Sequence, residues 1–335
     1  MDNSIIDFVI TWVDGNDPIW REERNRYAGI EDGKDGYNQY RYRDWDTLRY
    51  WFRGIEQFAP WVNKIFFITC GHLPKWLNTS NPKLQIVKHS EFIPAEYLPT
   101  FNSNVIEFYL HHIKELSEQF VYFNDDFYLI NDVAPERFFK KGLPCDIGAM
   151  TFNLHSGMFG ASVLLAKTLV NEHFNKTEVV RENPSKWFNL NYIKASLINL
   201  ICLLIRRDEF VGFANPHLPQ GFLKKTFEDA WMNCKEDLIR TSRNRFRNYG
   251  DVAFWLMRYW QLASNSFSPT NPFNDGQYYL VNDRNVSEIA ECIRRQKKKM
   301  ICLNDSEEIS DFENTKNRII EAFSKILPEK SSFEL

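Results

Sequence analysis

Ile5-Ile-Asp-Phe-Val-Ile-Thr-Trp-Val13 runs directly into Asp14-Gly-Asn-Asp-Pro18. The first run is β-branched and aromatic and reads as a strand; the second is a dense turn signal. The same order returns at Phe120-Val-Tyr-Phe123, an apolar strand ending in Asn124-Asp-Asp126. Between them, Lys64-Ile-Phe-Phe-Ile-Thr69 and Leu84-Gln-Ile-Val-Lys88 read as further strands. Asp44 to Phe58 carries Leu48, Trp51, Phe52, Ile55 and Phe58 at helical spacing, with Asp44 as a possible N-cap, and Asn104 to Leu116 reads as a helix. Asp32 to Tyr40 is rich in Gly and Asp and reads as a loop. This alternation predicts an α/β fold built on a mostly parallel, doubly wound sheet. Such sheets bind ligands beyond the carboxyl ends of their strands, so both acidic turns are expected on one binding edge.

Farther along, Gly157 to Arg207 is largely helical and breaks at Asn183-Pro184, which predicts a helical insertion. A second helical stretch runs from Lys224 to Ala263, and Ser264 to Gln277 reads as a loop. Val286 to Lys299 reads as a helix, Met300-Ile-Cys-Leu303 as a short strand into Asn304-Asp305, and Ser310 to Leu327 as a closing amphipathic helix. The most apolar stretch, Ala195 to Ile205, is shorter than a membrane span and is expected to be a buried helix. The alternative is a contact with a membrane surface, helped by Lys194, Arg206 and Arg207 at its ends.

The chain has 335 residues, with 41 Lys+Arg against 44 Asp+Glu and a formal net charge of −3. That balance argues against a dedicated nucleic-acid binder. With 44% hydrophobic and 25% charged residues, wholesale disorder is excluded. Aromatics reach 16%, enough for a large core and for ring faces along a ligand cleft. The six cysteines are scattered without a C-x-x-C pair or zinc spacing, which predicts a reducing, cytosolic compartment. Met1 to Ser4 shows no basic region ahead of an apolar one, so no signal peptide is expected.

Several residues are suited to chemistry. Adjacent carboxylates such as Asp125 and Asp126 at a strand end suit Mg²⁺, and either one also suits a general base; the plainer reading is a solvated turn. Trp12 offers a face to stack on a base or sugar, beside Asp14, or else it fills the core. Ser103 and Glu107 are one i,i+4 step apart and share a helical face, with Ser103 suited to cap the helix and Glu107 to face the cleft; the plainer reading is capping alone. His217 lies between Pro216 and Pro219, a stiff setting for a proton-transferring imidazole, or for a surface histidine. Arg240, Arg243, Arg245 and Arg247 are closely spaced forks suited to phosphate oxygens, or a solvated basic helix end. No Walker A, G-x-S-x-G or H-E-x-x-H pattern occurs.

Together these residues identify a family resemblance. Ile6 to Pro18 resembles the first conserved region of the Stealth proteins. The second, long region resembles Arg43-Asp44 through Tyr50, Ala59-Pro-Trp-Val62, Pro74-Lys-Trp-Leu-Asn78, Leu98-Pro-Thr-Phe-Asn-Ser103 with Ile106-Glu107, and Phe123-Asn-Asp-Asp126, in that order. His217-Leu-Pro219 with Ser242 to Arg247 is similar to the third region, and Ile301-Cys-Leu-Asn-Asp305 to the fourth. Stealth proteins include bacterial capsular polysaccharide phosphotransferases and the catalytic subunit of the animal enzyme that marks lysosomal glycoproteins with N-acetylglucosamine-1-phosphate.

The resemblance implies a glycosyltransferase-A-like nucleotide-sugar fold. It also implies transfer of a hexose-1-phosphate from a UDP-sugar donor to a hydroxyl of a polysaccharide or oligosaccharide acceptor, with release of UMP. Residues 1–335 are then one catalytic unit: 1–150 and 208–310 form the core, 157–207 the insertion, and 311–335 a closing helix and tail. Asp126, His217 and Arg247 become the catalytic residues. Trp12, Asp14, Ser103, Glu107, Asn124 and Arg243 bind substrate, and Asp125, Asp126 and Asp305 hold Mg²⁺ or Mn²⁺. The setting expected from the cysteines and the N-terminus is cytoplasmic, with a peripheral contact at the inner membrane face as the alternative reading of Ala195 to Ile205. One departure is Gln220, where family members often carry a second His. The residues alone leave open a conventional glycosyltransferase that uses the same acidic edge and releases UDP.

Overall fold

A computed structural model describes residues 5–30, 43–152, 156–205 and 208–335. Met1 to Ser4, the expected Asp32–Tyr40 loop, and Arg206 and Arg207 lie outside the described residues. The strands are β1 (Ile6–Thr11), β2 (Ile65–Thr69), β3 (Leu84–Lys88), β4 (Gln119–Phe123), β5 (Phe127–Leu129), β6 (Phe139–Lys140), β7 (Leu143–Asp146), β8 (Gln220–Leu223), β9 (Ser268–Pro269), β10 (Gly276–Leu280) and β11 (Met300–Asn304). The main sheet has the order β3-β2-β1-β4-β8. Its first four strands are parallel, and β8 closes the edge antiparallel to β4. Two three-stranded sheets, β10-β11-β5 and β6-β7-β9, flank it.

The main sheet is buried on both faces, which is why its strands read as continuous apolar runs. Ile6, Phe8 and Ile10 of β1 face one core, with Trp51, Ile55, Ile289 and Phe323. Val9 faces the other, with Phe108, Val163, Phe227 and Leu256. Helices Leu48–Phe58, Val286–Arg294 and Phe312–Ile326 therefore cover one side. Helices Ser103–Phe108, Gly157–His173, Lys224–Ser242 and Trp255–Ala263 cover the other. The chain is mixed α/β with a parallel-rich sheet wound on both faces. Most of the aromatic excess packs in these cores.

Some local expectations fail for identifiable reasons. Asp44 does not cap the helix; its Oδ1 accepts the Asp46 N–H, and the helix begins later, at Leu48. The helix expected to reach Leu116 stops at Phe108, and a 3₁₀ turn, Leu110–His112, follows. The Phe108 carbonyl accepts the Trp231 indole N–H at 2.9 Å, a tertiary bond at the point where the helix ends. The largest reversal is Ile193–Ile205. The sequence predicts a buried helix over Ala195–Ile205, yet only Asn199 and Cys202 of this helix are buried, and most of its leucines and isoleucines face solvent.

Candidate active site

β1 and β4 are hydrogen-bonded neighbours in parallel register, Ile10 opposite Phe123. The turns that follow them, Asp14–Asp17 and Asn124–Asp126, therefore leave the same edge of the sheet. β5 continues from Asp126 and pairs with β11, Phe127 opposite Cys302. The Leu303 N–H also donates to the Asp126 carbonyl at 2.9 Å. This pairing carries the late segment around Cys302 to the acidic turn. The Cys302 thiol donates to Asp126 Oδ2 at 3.3 Å, and burial raises its pKa well above the usual range, so it remains a protonated donor.

Asp126 Oδ1 is buried without a hydrogen-bond partner. Burial, then the Asp125 charge, pushes the Asp126 carboxyl up to about 7. The protein walls also raise the Asp125 carboxyl, although that residue keeps contact with solvent. An orphaned carboxylate oxygen beside a second raised acid fits a hard divalent cation. One oxygen of Asp126, a ring nitrogen of His217 and the Cys302 sulfur also lie within 4.8 Å of one another, a set better matched to a softer ion.

Across the cleft, Asn102 rather than Ser103 caps helix Ser103–Phe108, its side chain accepting the Asn104 N–H at 3.2 Å. Asn102 is itself fixed by the buried Asp251, to which it donates at 2.8 Å. Asn244 and the Asn248 N–H donate to the same carboxylate at 2.6 and 2.8 Å. The network ties the capped helix to the Arg-rich segment. The Ser103 hydroxyl is thereby released to accept from Arg247 Nη2 at 2.5 Å. One turn on, buried Glu107 accepts the Tyr122 hydroxyl at 2.8 Å. Burial pushes Glu107 up to about 7 against the opposing pull of Tyr122, Arg247 and Ser103.

His217 has φ of 46°, a left-handed backbone that costs a residue with a Cβ of order 1–3 kcal/mol. The segment before it is pinned. Arg258 Nη1 donates to the Ala214 carbonyl at 2.5 Å, and the Tyr259 hydroxyl donates to Asn215 at 2.9 Å. Arg258 also makes a bidentate pair with Asp146, at 2.8 and 2.7 Å, and both side chains are 1% exposed. Gln220 donates to the same Asp146 at 3.2 Å, so the departure from the family pattern joins this buried network. Phe127 and Tyr278 set their rings edge-to-face against the imidazole at 5.1 and 5.6 Å. Burial, then the Arg247 charge, pushes His217 down to about 4, leaving it neutral near pH 7.

Glu107, Asn124, His217 and Arg247 line one open cleft of about 980 Å³, with Phe127 and Trp255 among its walls. Other expected residues go elsewhere. Trp12 packs on Phe67 and His72 at 5.5 and 5.2 Å. Asp14 shapes its own turn, with its N–H donating to His72 Nε2 and its Oδ1 accepting from the Asn16 N–H, each at 2.8 Å. Arg243 is exposed and lies near Tyr97, while Arg245 donates to the Pro99 carbonyl at 3.0 Å. Asp305 is engaged by Arg43, at 3.0 and 2.5 Å, and by the Trp45 indole at 3.2 Å.

With the geometry in place, comparison with known proteins is informative. Residues 6–32 match the Stealth protein CR1 model, conserved region 1, and residues 41–145 match Stealth protein CR2, conserved region 2. Over 98% of both chains, the sequence is 42% identical to a capsular polysaccharide phosphotransferase, WcwK, of Streptococcus pneumoniae. The chain belongs to the Stealth family. Other Stealth relatives include the receptor polysaccharide phosphotransferase WefC of Streptococcus gordonii, 39% identical over 98% of this chain and 99% of that one. The exopolysaccharide phosphotransferase cps2G of Lactiplantibacillus plantarum is 38% identical over 98% and 96%. The protein is accordingly an enzyme, a transferase of phosphorus-containing groups. An apo structure of the WbbM bifunctional glycosyltransferase aligns with 96% of this chain and 52% of its own, at 11% identity and a TM-score of 0.38, a likeness that assigns no fold.

Sequence reasoning about this Stealth chain missed Asn102, Asp146, Asp251, Arg258 and Cys302. Arg258 left a usable signal, since it is the one charge inside the apolar helix Trp255–Ala263. A buried charge requires a partner, and Asp146 supplies it. Cys302 left none, because its thiol reads as a small hydrophobe until β11 is placed beside β5.

Proposed function

We propose that this enzyme transfers a hexose-1-phosphate from a UDP-sugar to a hydroxyl of a capsular or cell-surface polysaccharide, forming a phosphodiester and releasing UMP. The observation that carries the reading is the convergence of Arg247, Ser103, Glu107, Asp126 and His217 on one edge. Glu107, His217 and Arg247 line one cleft, Ser103 bonds Arg247 and Asp126 lies beside His217, which supports a site that offers a cation, acids and a neutral imidazole. The named activities of the relatives give the reaction class.

In this reading the acceptor hydroxyl attacks the β-phosphorus, and the bond to the UMP oxygen breaks. Phosphoryl transfer depends on positioning and charge neutralisation more than on covalent help. Arg247, oriented by Ser103, stabilises the equatorial oxygens. Ser103 and Glu107 hold the donor sugar hydroxyls. His217 takes the acceptor proton, and the adjacent Asp126 compensates the imidazolium that forms; Asp126 is the alternative base. Mg²⁺ or Mn²⁺, held by Asp125 and Asp126, would supply neutralisation of the diphosphate charge. The test is product analysis with a panel of UDP-sugars, Mg²⁺ and a capsular oligosaccharide. UMP and a phosphodiester-linked sugar are expected; release of UDP with a plain glycosidic product overturns the reading.

A further inference from the structure

Helix Ile193–Ile205 is reversed in polarity. Asn199, in its middle, is fully buried. Its amide donates to the carbonyls of Gly148 and Trp187, both at 2.6 Å, and its oxygen accepts the Met150 N–H at 2.7 Å. Leu197, Leu200, Ile201 and Leu204 point outward and are 61%, 51%, 53% and 81% exposed. Taken with the turns before it, Pro184–Ile205 is long and apolar enough to cross a membrane. Trp187, Tyr192, Asn199 and Cys202 are nevertheless buried within the protein, so the segment lies along the surface, anchored by its polar side.

Charge identifies what covers the apolar side. No Asp or Glu occurs between Glu182 and Asp208, although the whole chain has a net charge of −3. Lys194 is exposed at the start of the helix, and in the sequence Arg206 and Arg207 follow its end. A symmetric contact with a second copy would bring these cations together with no acid in the segment to answer them. An apolar face with cationic ends matches an anionic lipid surface, where leucines enter the acyl boundary and cations meet the headgroups.

We propose that helix Ile193–Ile205 docks the protein on a bilayer that bears anionic headgroups, lying in the interfacial plane rather than spanning it. The docking needs no donor or acceptor, so it is tested apart from the reaction. The full chain is co-sedimented with phosphatidylglycerol–phosphatidylcholine vesicles and with phosphatidylcholine alone. Binding on the order of 100-fold tighter to the anionic vesicles is expected from three cations at the ends of the apolar segment. Leu197→Glu with Leu204→Glu abolishes sedimentation with both and leaves the melting temperature unchanged. Lys194→Ala with Arg206→Ala and Arg207→Ala brings the two vesicle types to equal affinity. The proposal is overturned by absence of binding to anionic vesicles or by undiminished binding of the double-Glu protein. It is equally overturned by sedimentation velocity showing a dimer that the double-Glu changes split while vesicles go unbound.

Discussion

Around the cleft, the buried side chains include the polar Asn102, Glu107, Asp146, Asp251 and Arg258; along Ile193–Ile205, the side chains left in water include most of the leucines and isoleucines. Both regions depart from the ordinary rule of apolar inside and polar outside, for different reasons. Around the cleft, buried polar groups are cross-linked by hydrogen bonds, and Asp126 Oδ1, close to His217, is left buried without a partner. On the helix, the single buried amide is fully bonded and the apolar side is unmet. An unmet group of either kind indicates what the surface is built to receive. The two ends of the main sheet repeat the lesson. Asp7, in β1, is saturated by Asn63 at 2.7 Å and by the Ser117 N–H at 2.8 Å, whereas the acids beyond β4 are left raised and available.

The sharpest attempt to break this contrast removes one partner of a buried pair. Arg258→Met leaves the Asp146 charge stranded, and urea unfolding should show a loss of about 3–5 kcal/mol. A loss below about 1 kcal/mol would mean that the network around the His217 segment is not held by this pair. Next in size is Arg247→Ala. Its guanidinium is exposed and bonded to the Ser103 hydroxyl, so the fold should persist while kcat falls on the order of 100-fold or more. Circular dichroism and turnover on the same sample check both halves; a folded, fully active variant removes Arg247 from the mechanism.

The last prediction concerns the pH dependence of stability. Glu107 titrates near 7 in the folded protein against 4.5 as the ordinary value, so the native state holds its proton more tightly than the unfolded one. That contribution is complete below about pH 4.5 and is lost as pH rises through about 7. Glu107→Gln should flatten the fall in stability across this window. An unchanged slope in urea midpoints measured from pH 4.5 to 7 would show that Glu107 is not held protonated.

Legibility followed the range of the interaction. The strand β1 and its acidic turn were readable because a parallel strand buried on both faces must be a continuous apolar run. Helix Phe312–Ile326 was readable because its amphipathic period is local. The sequence offers Ser103 as the cap and the structure uses Asn102, because both residue types cap well and the choice depends on Asp251, which is distant in the chain. The burial expected of Ala195–Ile205 fails because apolar composition cannot state which side a helix turns to the protein; Asn199 decides it by bonding Gly148 and Met150.

The sequence by itself determined the alternation of strands and helices, the acidic strand ends, the family, and the residue types for phosphate chemistry. Those depend on short periods and ordered motifs that a linear chain displays. Only the tertiary structure decided which arginine of the cluster reaches Ser103, that Cys302 stands beside Asp126, that Asp305 is engaged by Arg43, and that the most apolar helix faces outward. Each of these is a choice among chemically equal candidates. It is settled by burial and by partners far away in sequence, and those exist only once the chain has folded.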